Sequence, residues 1–536
     1  MQAVNFIKLM LGACLTAAYL TPESIGIVSL LCLFPYTRAQ FHENTWVSLN
    51  GNDGKKYFFN SLTSYENISF ASGIQNRGHP NYDAIVATIN NNGELVNNLQ
   101  IELGTSSSLQ GNIFYNNAIY SSGYFIDGQD IGLLCKTKLN GTLDKCFEIN
   151  GITGNSRLEK MGVTSNNNLL IALNNGMLVE MYPNTTLKFA TQYSYSSEIE
   201  FTSVNAISNH EYILVGRALS SPFKGIILKT TNYGEVIWAQ ELTNINNANM
   251  ALSFVNIKDN NVIISGSSNN SGLIIKVDAT TGALLKIQTI GGGGFTFLTE
   301  NTILNHDTIL TVGFSTKNSL GSQDAIGALI SSDSTFIFKI AGTKQDMFRS
   351  ITQDKYGNIF LAGSTASSTD SLDFHKSMLV KLDSNLALNE ADLPPGLGYY
   401  NSTSDFVINN NAELISTNIT SLITSVNLTS TVNFVDITDQ VTLSSPMINT
   451  WLHAPTSEPS SIPSSLPSSA PSNAPTNMPS SSAPSNAPTN MPSSSAPSNA
   501  PTNMPSSSAP SNAPTNMPSS SAPSNAPTNM PSSSAP

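Results

Sequence analysis

The sequence predicts an all-β protein, a seven-bladed β-propeller followed by a disordered Pro/Ser/Thr-rich C-terminal tail, and three observations carry that reading. An apolar run ending near Gly recurs seven times between about Tyr57 and Ala391. Each is followed by a β-branched run that enters a polar turn, and weaker strands flank the pair, so a unit holds four short strands. Successive markers lie 50, 51, 42, 50, 47 and 50 residues apart, the period of a propeller blade. One four-stranded sheet cannot cover both of its faces alone. Packed radially, each sheet covers its neighbours and the circle leaves only short, protected edges. A helical solenoid of similar period needs apolar residues at three and four spacing, and no window supplies them.

The marker runs end at Gly73, Gly123, Gly216, Gly266, Gly313 and Gly363, the last as Ile359-Phe360-Leu361-Ala362-Gly363. The third copy, Leu169-Leu170-Ile171-Ala172-Leu173, puts Asn174 where Gly is expected; both residue types tolerate the left-handed backbone of a strand end. The second run of each unit reads, for example, Ile226-Ile227-Leu228-Lys229 to Gly234 and Met378-Leu379-Val380-Lys381 to Leu386. A weaker strand precedes each pair, as at Met347 to Ile351, and another follows, as at Glu235 to Ala239. Closing the ring needs a strand from outside the seven units. Residues 45–51, with Trp46, match the outer strand around Trp238, and closure by this N-terminal strand is expected over closure by the later apolar runs of 386–393 and 404–443.

Domain organisation follows from shifts in composition. Residues 1–39 read as a signal peptide, 40–395 as the propeller, 396–455 as a β-rich extension and 456–536 as a disordered Ser/Pro/Asn repeat stalk. The N-terminus carries two apolar stretches, 9–20 and 25–34, and neither reaches the roughly 18 residues of a membrane span. The second has the length of a signal h-region, with Ala39 at the cleavage point before Gln40; an uncleaved signal anchor is the alternative. A lipoprotein box at Cys14 has too few apolar residues before it. In the tail, five perfect copies of Ser-Asn-Ala-Pro-Thr-Asn-Met-Pro-Ser-Ser-Ser-Ala-Pro fill 472–536. Proline removes backbone donors and the other residues are too small and polar for a core, so the segment is a spacer and suits O-glycosylation.

Cysteine usage agrees with export. Cys14 and Cys32 fall in the signal, which leaves Cys135 and Cys146 on strands facing each other across an Asn140-Gly141 turn. A disulfide is expected there, in the hydrogen-bonded register that a two-residue turn implies, which is the less easy geometry for a cross-strand bridge; two free strand cysteines are the alternative. Glycosylation sequons occur at Asn67, Asn140, Asn184, Asn269, Asn401, Asn418 and Asn427. The chain is 40% apolar and only 11% charged, with net charge −12, and no Lys/Arg stripe exists to neutralise phosphate. A nucleic-acid partner is therefore excluded.

The sequence assigns no catalytic, cofactor or metal site. The histidines show no H-x-x-x-H spacing, and Asp373-Phe374-His375 supplies two ligand types where a zinc site needs three or four. No G-x-S-x-G elbow occurs. Ser221-Pro222-Phe223-Lys224 fits Ser-x-x-Lys but sits in an inter-strand loop, and Gly291 to Gly294 precede no helix that could hold an anion. Arg77, Arg157, Arg217 and Arg349, if gathered around the channel, would suit an acidic sugar.

Three resemblances follow from these residues. Asp354-Lys355-Tyr356-Gly357-Asn358-Ile359-Phe360-Leu361-Ala362-Gly363-Ser364-Thr365 and Met378-Leu379-Val380-Lys381-Leu382-Asp383 resemble the bacterial-type propeller repeats known as SBBP repeats, found in secreted and surface proteins. The tail resembles the proline-serine repeats of surface and wall-associated proteins of algae and other stramenopiles. Thr230 to Trp238 also approaches the Asp-box hairpin of sialidase-like propellers, with Asn for Asp and one residue of offset before Trp. None of these supplies a catalytic motif. They imply a secreted or wall-associated binding or adhesion protein whose partner is an extracellular protein or glycan, with membrane contact only if the N-terminal segment is retained. The alternatives are a secreted carbohydrate-active hydrolase or lyase and a purely structural wall component.

Overall fold

The computed structural model describes residues 45–51, 55–78, 81–152, 154–305, 308–368, 375–410, 412–444 and 449–452. The expected signal peptide, its cleavage point at Ala39, the repeat stalk and the Asp373-Phe374 pair lie outside them. Among the described residues the chain forms seven antiparallel sheets and only short 3₁₀ turns. The sheets are blades: residues 57–102, 106–150, 158–194, 199–244, 250–291, 296–342 and 346–382. First strands of successive blades touch all the way round, and that of blade 1 (Tyr57–Tyr65) touches that of blade 7 (Asp346–Gln353), so the ring is closed.

Closure uses the N-terminal strand. Trp46–Asn50 lies antiparallel to the third strand of blade 7, Lys376–Leu382, as its fourth strand. The likeness between Trp46 and Trp238 is structural: Trp46 stands opposite Lys381, Trp238 opposite Lys229, and each indole donates to a carbonyl of the next blade, Asn91 at 2.8 Å and Ala279 at 3.4 Å.

The core is divided among the blade interfaces. Seven apolar clusters each straddle two neighbouring blades, as when Leu170, Leu178 and Phe189 of blade 3 meet Phe201, Tyr212 and Leu214 of blade 4. At roughly 2 kcal/mol for each large side chain buried, the faces no single sheet could cover become the main source of stability.

The marker glycines serve a different purpose from the one expected. They lie within strands and none has a left-handed φ. Each stands opposite a β-bulge in the first strand of its blade, where register slips by one residue: Gly73 at Phe59/Ser61, Gly363 at Phe348/Ser350. A Cβ on Gly73 or Gly363 would sit 1.8 or 1.9 Å from the carbonyl oxygen of Phe58 or Met347. Close backbone approach at the bulge excludes a side chain. Blade 3 shows the converse. Its register slips by the same one residue, between Leu158 and Met161, where Glu159 and Lys160 together face Ala172, but Leu173 occupies the glycine position and Asn174 lies beyond it.

The segment read as a β-rich extension is a belt. From 397 onward the chain runs back around the disc against the blade order and lays one strand antiparallel to the outermost strand of every blade. The strands are Leu397–Asn401 on blade 6, Val407–Asn409 on blade 5, Leu414–Asn418 on blade 4, Thr424–Asn427 on blade 3, Asn433–Asp436 on blade 2, Thr442–Ser444 on blade 1 and Asn449–Leu452 on the N-terminal strand. Each blade thereby has five strands.

A repeated clamp fixes the belt. Thr403, Thr420, Thr429 and Thr438 each accept, through Oγ1, the amide of an outer-strand residue: Ile337, Ala239, Ala190 and Cys146, at 2.9 to 3.0 Å. Two residues before each threonine, Asn401, Asn418, Asn427 or Asp436 accepts the threonine's amide through Oδ1. Within the clamps Ile419 and Ile437, and after them Phe406, Ile423 and Val432, press into the clusters between blades.

Cys135 and Cys146 form a disulfide across the third and fourth strands of blade 2. The register differs from the expected one. A bulge at Asp144 shifts the pairing, and the amide and carbonyl of Cys146 both bond to the belt, at Thr438 and Ile437. The cysteines therefore form a non-hydrogen-bonded pair, in which Cα atoms stand closer.

Candidate functional site

The bulges build the axis. Their extra residues, Asn60, Gln110, Glu159 with Lys160, Thr202, Ser253, Thr299 and Arg349, one set per blade, line a common cavity of about 230 Å³. Several hold the ring together: Asn60 Nδ2 donates to Leu109 O at 2.9 Å, Thr202 Oγ1 to Leu252 O at 2.8 Å and Thr299 Oγ1 to Phe348 O at 3.3 Å, each reaching the next blade. Lys160 Nζ crosses to Asn60 O at 3.2 Å and to the Glu300 carboxylate at 3.1 Å. Further along the axis a second cavity of about 270 Å³ is lined by amides, Asn112, Asn205, Asn256 and Asn301 among them.

Two charged groups in the upper cavity stand apart. Burial pushes the Glu159 carboxyl up to about 7; Glu200 adds to the rise, while Arg157, Lys160 and Arg217 oppose it. Burial also lowers the pKa of Arg349, whose Nε has no hydrogen-bond partner among the described residues. A guanidinium remains charged at any physiological pH, so Arg349 presents a cation to the channel.

The channel opens sideways into a larger cleft of about 700 Å³, within the usual range for ligand pockets. It lies at the end of the disc that carries the turns between second and third strands and the loops between blades, which we term the upper face. Arg217, Ala251 and Phe297 line both spaces. The Arg217 guanidinium is held by Glu200 Oε2 through Nε at 2.7 Å and Nη2 at 2.5 Å, and lies 5.0 Å from the Phe223 ring. Phe295 and Phe297 pack with Phe314, with ring centroids 5.8 to 6.3 Å apart, and Phe223 and Phe295 each remain 37% exposed. Asn249 Oδ1 accepts the Phe223 amide at 2.9 Å, and Asn269 and Asn270 form a left-handed two-residue turn on the rim. Aromatic faces beside amide groups and an oriented arginine suit polar ligands with an apolar side.

Of the four arginines singled out in the sequence, the cavity gathers Arg217 and Arg349. Arg157 faces Asp130 at 2.6 Å and stacks over Tyr124 at 4.4 Å, and Arg77 falls outside the described side chains. Lys224 of the Ser-x-x-Lys stretch is held by Glu241 at 2.8 Å, leaving Ser221 without a base from that lysine. His375 is buried against Phe58 at 4.9 Å, and burial lowers its pKa to about 4. Among the described residues no cluster of three or more His, Cys, Asp or Glu converges on a metal position.

All seven sequon asparagines are exposed. Five of them, Asn140, Asn184, Asn401, Asn418 and Asn427, use Oδ1 to accept the amide two residues on. That turn gives N-x-S/T a conformational role independent of any glycan, and Asp436 fills it without being a sequon. Glu159 and Lys160 were missed in the sequence, although the glycine-free third repeat marked them. The Phe295/Phe297 pair was hidden beside the four-glycine run, which was weighed as an anion cradle and set aside for want of a following helix.

No protein-family model matches the sequence, and a search of curated proteins found no match. Among solved structures the chain is similar to the WD40 β-propeller domain of Doa1, at 12% identity and TM-score 0.40 over 64% of this chain and 99% of that one. It is likewise similar to the RRP9 WD40 repeats, at 9% identity and TM-score 0.43 over 63% and 97%, and to the Dos1 propeller, at 10% identity and TM-score 0.39 over 62% and 95%.

Proposed function

We propose that this propeller is a non-catalytic binding head that holds an extracellular protein or glycan in the upper-face cleft of blades 4 to 6. The cleft itself carries the reading: about 700 Å³, with two half-open phenylalanines, rim asparagines and Arg217 fixed by Glu200. Sugars present an apolar face to aromatic rings and hydroxyls to amides, so these walls fit a glycan or a glycosylated protein best. Export is part of the proposal, supported by the Cys135–Cys146 bond, the exposed sequons and the likeness of the tail to surface-protein stalks. The full-length protein is applied to a glycan array and to cell-wall and matrix preparations. Binding that falls at least tenfold in Phe223→Ala and Phe295→Ala is the expected result; absence of binding to every preparation overturns the proposal.

A second reading, hydrolysis or lysis of an acidic sugar, is favoured by one observation, the Glu159 carboxyl poised near 7 beside the same cleft. Turnover of acidic glycans that is lost in Glu159→Gln would establish it over simple binding.

A further inference from the structure

The lower face of the same blades holds a different site. Its walls come from equivalent positions that recur in all seven sheets. In blades 3, 4, 6 and 7 the fourth-strand residue opposite the C-terminal end of the third strand is aromatic: Phe189, Trp238, Phe336 and Trp46, standing opposite Glu180, Lys229, Leu329 and Lys381. Each ring packs into the seam with the following blade. In blade 5 that position is Lys286, opposite Lys276. Without the ring the seam between blades 5 and 6 keeps a cavity of about 190 Å³, floored by Ile263, Ile274, Ile303, Ile309 and Ile330 and edged by Lys258, Lys276 and Lys286.

Like charges directly across a strand pair are destabilising. Blade 2 carries the same pair, Lys136 opposite Lys145, and neutralises it: Asp144 holds Lys136 at 2.8 Å and Asp436 of the belt holds Lys145 at 2.8 Å. In blade 5 the bulge residue in the place of Asp144 is Leu285, between Leu284 opposite Val277 and Lys286 opposite Lys276. The belt passes there at Asn409, opposite Thr289, and Asn410, with no carboxylate in the place of Asp436. None of Lys258, Lys276 and Lys286 is in an ion pair among the described residues; Asp278 is occupied by Thr280 and Thr281, and Asp259 has a partner of its own. Three lysines without an ion pair among the described residues, on one isoleucine-floored cavity in a chain of net charge −12, give that cavity an excess of positive charge among the described residues.

From the missing plug and the missing counter-charges we infer that this seam binds a small amphipathic monocarboxylate, with its compact hydrocarbon group among the isoleucines and its carboxylate between Lys276 and Lys286. Size sets the class. An apolar cavity of about 150 Å³ admits benzene, so this one takes a hydrocarbon group of about six carbons. Charge sets the head group, since the carboxylate supplies what Asp144 and Asp436 supply in blade 2.

The test is calorimetric titration of the full-length protein with hexanoate, and with hexanol, hexylamine and inorganic phosphate as separate probes. Hexanoate is expected to bind at least tenfold more tightly than each of the others, and more weakly as salt is raised. Lys286→Phe, which restores the plug seen as Phe336 in blade 6, is expected to abolish hexanoate binding and raise the Tm. Lys276→Gln, which keeps the size of the cavity, is expected to weaken binding at least tenfold with an unchanged circular-dichroism spectrum and so guards against misfolding of the first variant. Failure of hexanoate to bind the folded protein, equal binding of hexanol or phosphate, or undiminished binding by a folded Lys276→Gln overturns the inference.

Discussion

A glycine that avoids a carbonyl oxygen is a sharper constraint than one that merely turns the chain. Gly363 is of the first kind, because its missing Cβ would meet Met347 O at 1.9 Å and the bulge cannot move without breaking the bonds of Phe348 O to Thr299 and of Ser350 Oγ to the Leu62 amide in the adjacent blades. Gly363→Ala is therefore expected to cost about 1–3 kcal/mol, the range of core overpacking, read as a lower urea midpoint. An unchanged midpoint would show that the strand yields. Glu159 gives a second prediction at this scale. Its folded-state pKa, about 7, lies above the ordinary 4.5, so its favourable contribution is complete below about 4.5 and is lost as pH rises through 7. Glu159→Gln should accordingly melt higher than the parent at pH 8, with the difference shrinking as pH falls from 7 to 4.5. A pH-independent difference in Tm would remove Glu159 as the titrating group.

Single strands of the belt are three to five residues long and would be marginal alone, so their hold comes from repetition. Each clamp threonine satisfies an outer-strand amide that otherwise has no acceptor at the sheet edge. Replacing Thr420, Thr429 and Thr438 by Val keeps shape and removes the oxygen. About 1 kcal/mol is expected from each, and near-additivity in the triple variant because the clamps sit on different blades. Chemical denaturation measures it, and a triple variant as stable as the parent would reduce the clamps to incidental contacts. This element also shows what could be read from the chain beforehand. The blades were legible because β-branched runs and glycines repeat at the period of a blade, without the three and four spacing that a helical solenoid of similar period would show. The belt was not, although Asn418-Ile419-Thr420, Asn427-Leu428-Thr429 and Asp436-Ile437-Thr438 recur every nine residues. Two of those three copies are also glycosylation sequons, and a strand so short carries little apolar periodicity of its own. The candidate clefts were harder still. Lys286 or Phe295 has meaning only beside the residue that fills the same place in another blade, and that equivalence needs the strand register.

At the level of the molecule, two features close the ring, and they are stacked. The N-terminal strand fills the fourth place of blade 7, and the last belt strand, Asn449–Leu452, lies on its outer edge. Trp46, at the start of the N-terminal strand, is buried between blades 7 and 1. Both ends of the described chain thus meet on one blade, and the belt ties that blade to the other six. Such an arrangement makes blade 7 the place where opening should begin if the seal is weakened, because the remaining blades are joined to their neighbours by continuous chain. Ending the chain after Ser444 takes away the last belt strand, while ending it after Ser460 leaves that strand in place. Hydrogen exchange followed by mass spectrometry is expected to show faster exchange over 46–50 and 376–382 in the shorter form than in the longer one, with blades 3 to 5 equally protected in both. Equal protection of the two blade 7 segments would mean that the pairing of Trp46–Asn50 with Lys376–Leu382 closes the disc without help from the belt. Acceleration spread evenly over all blades would mean that the disc opens only as a whole.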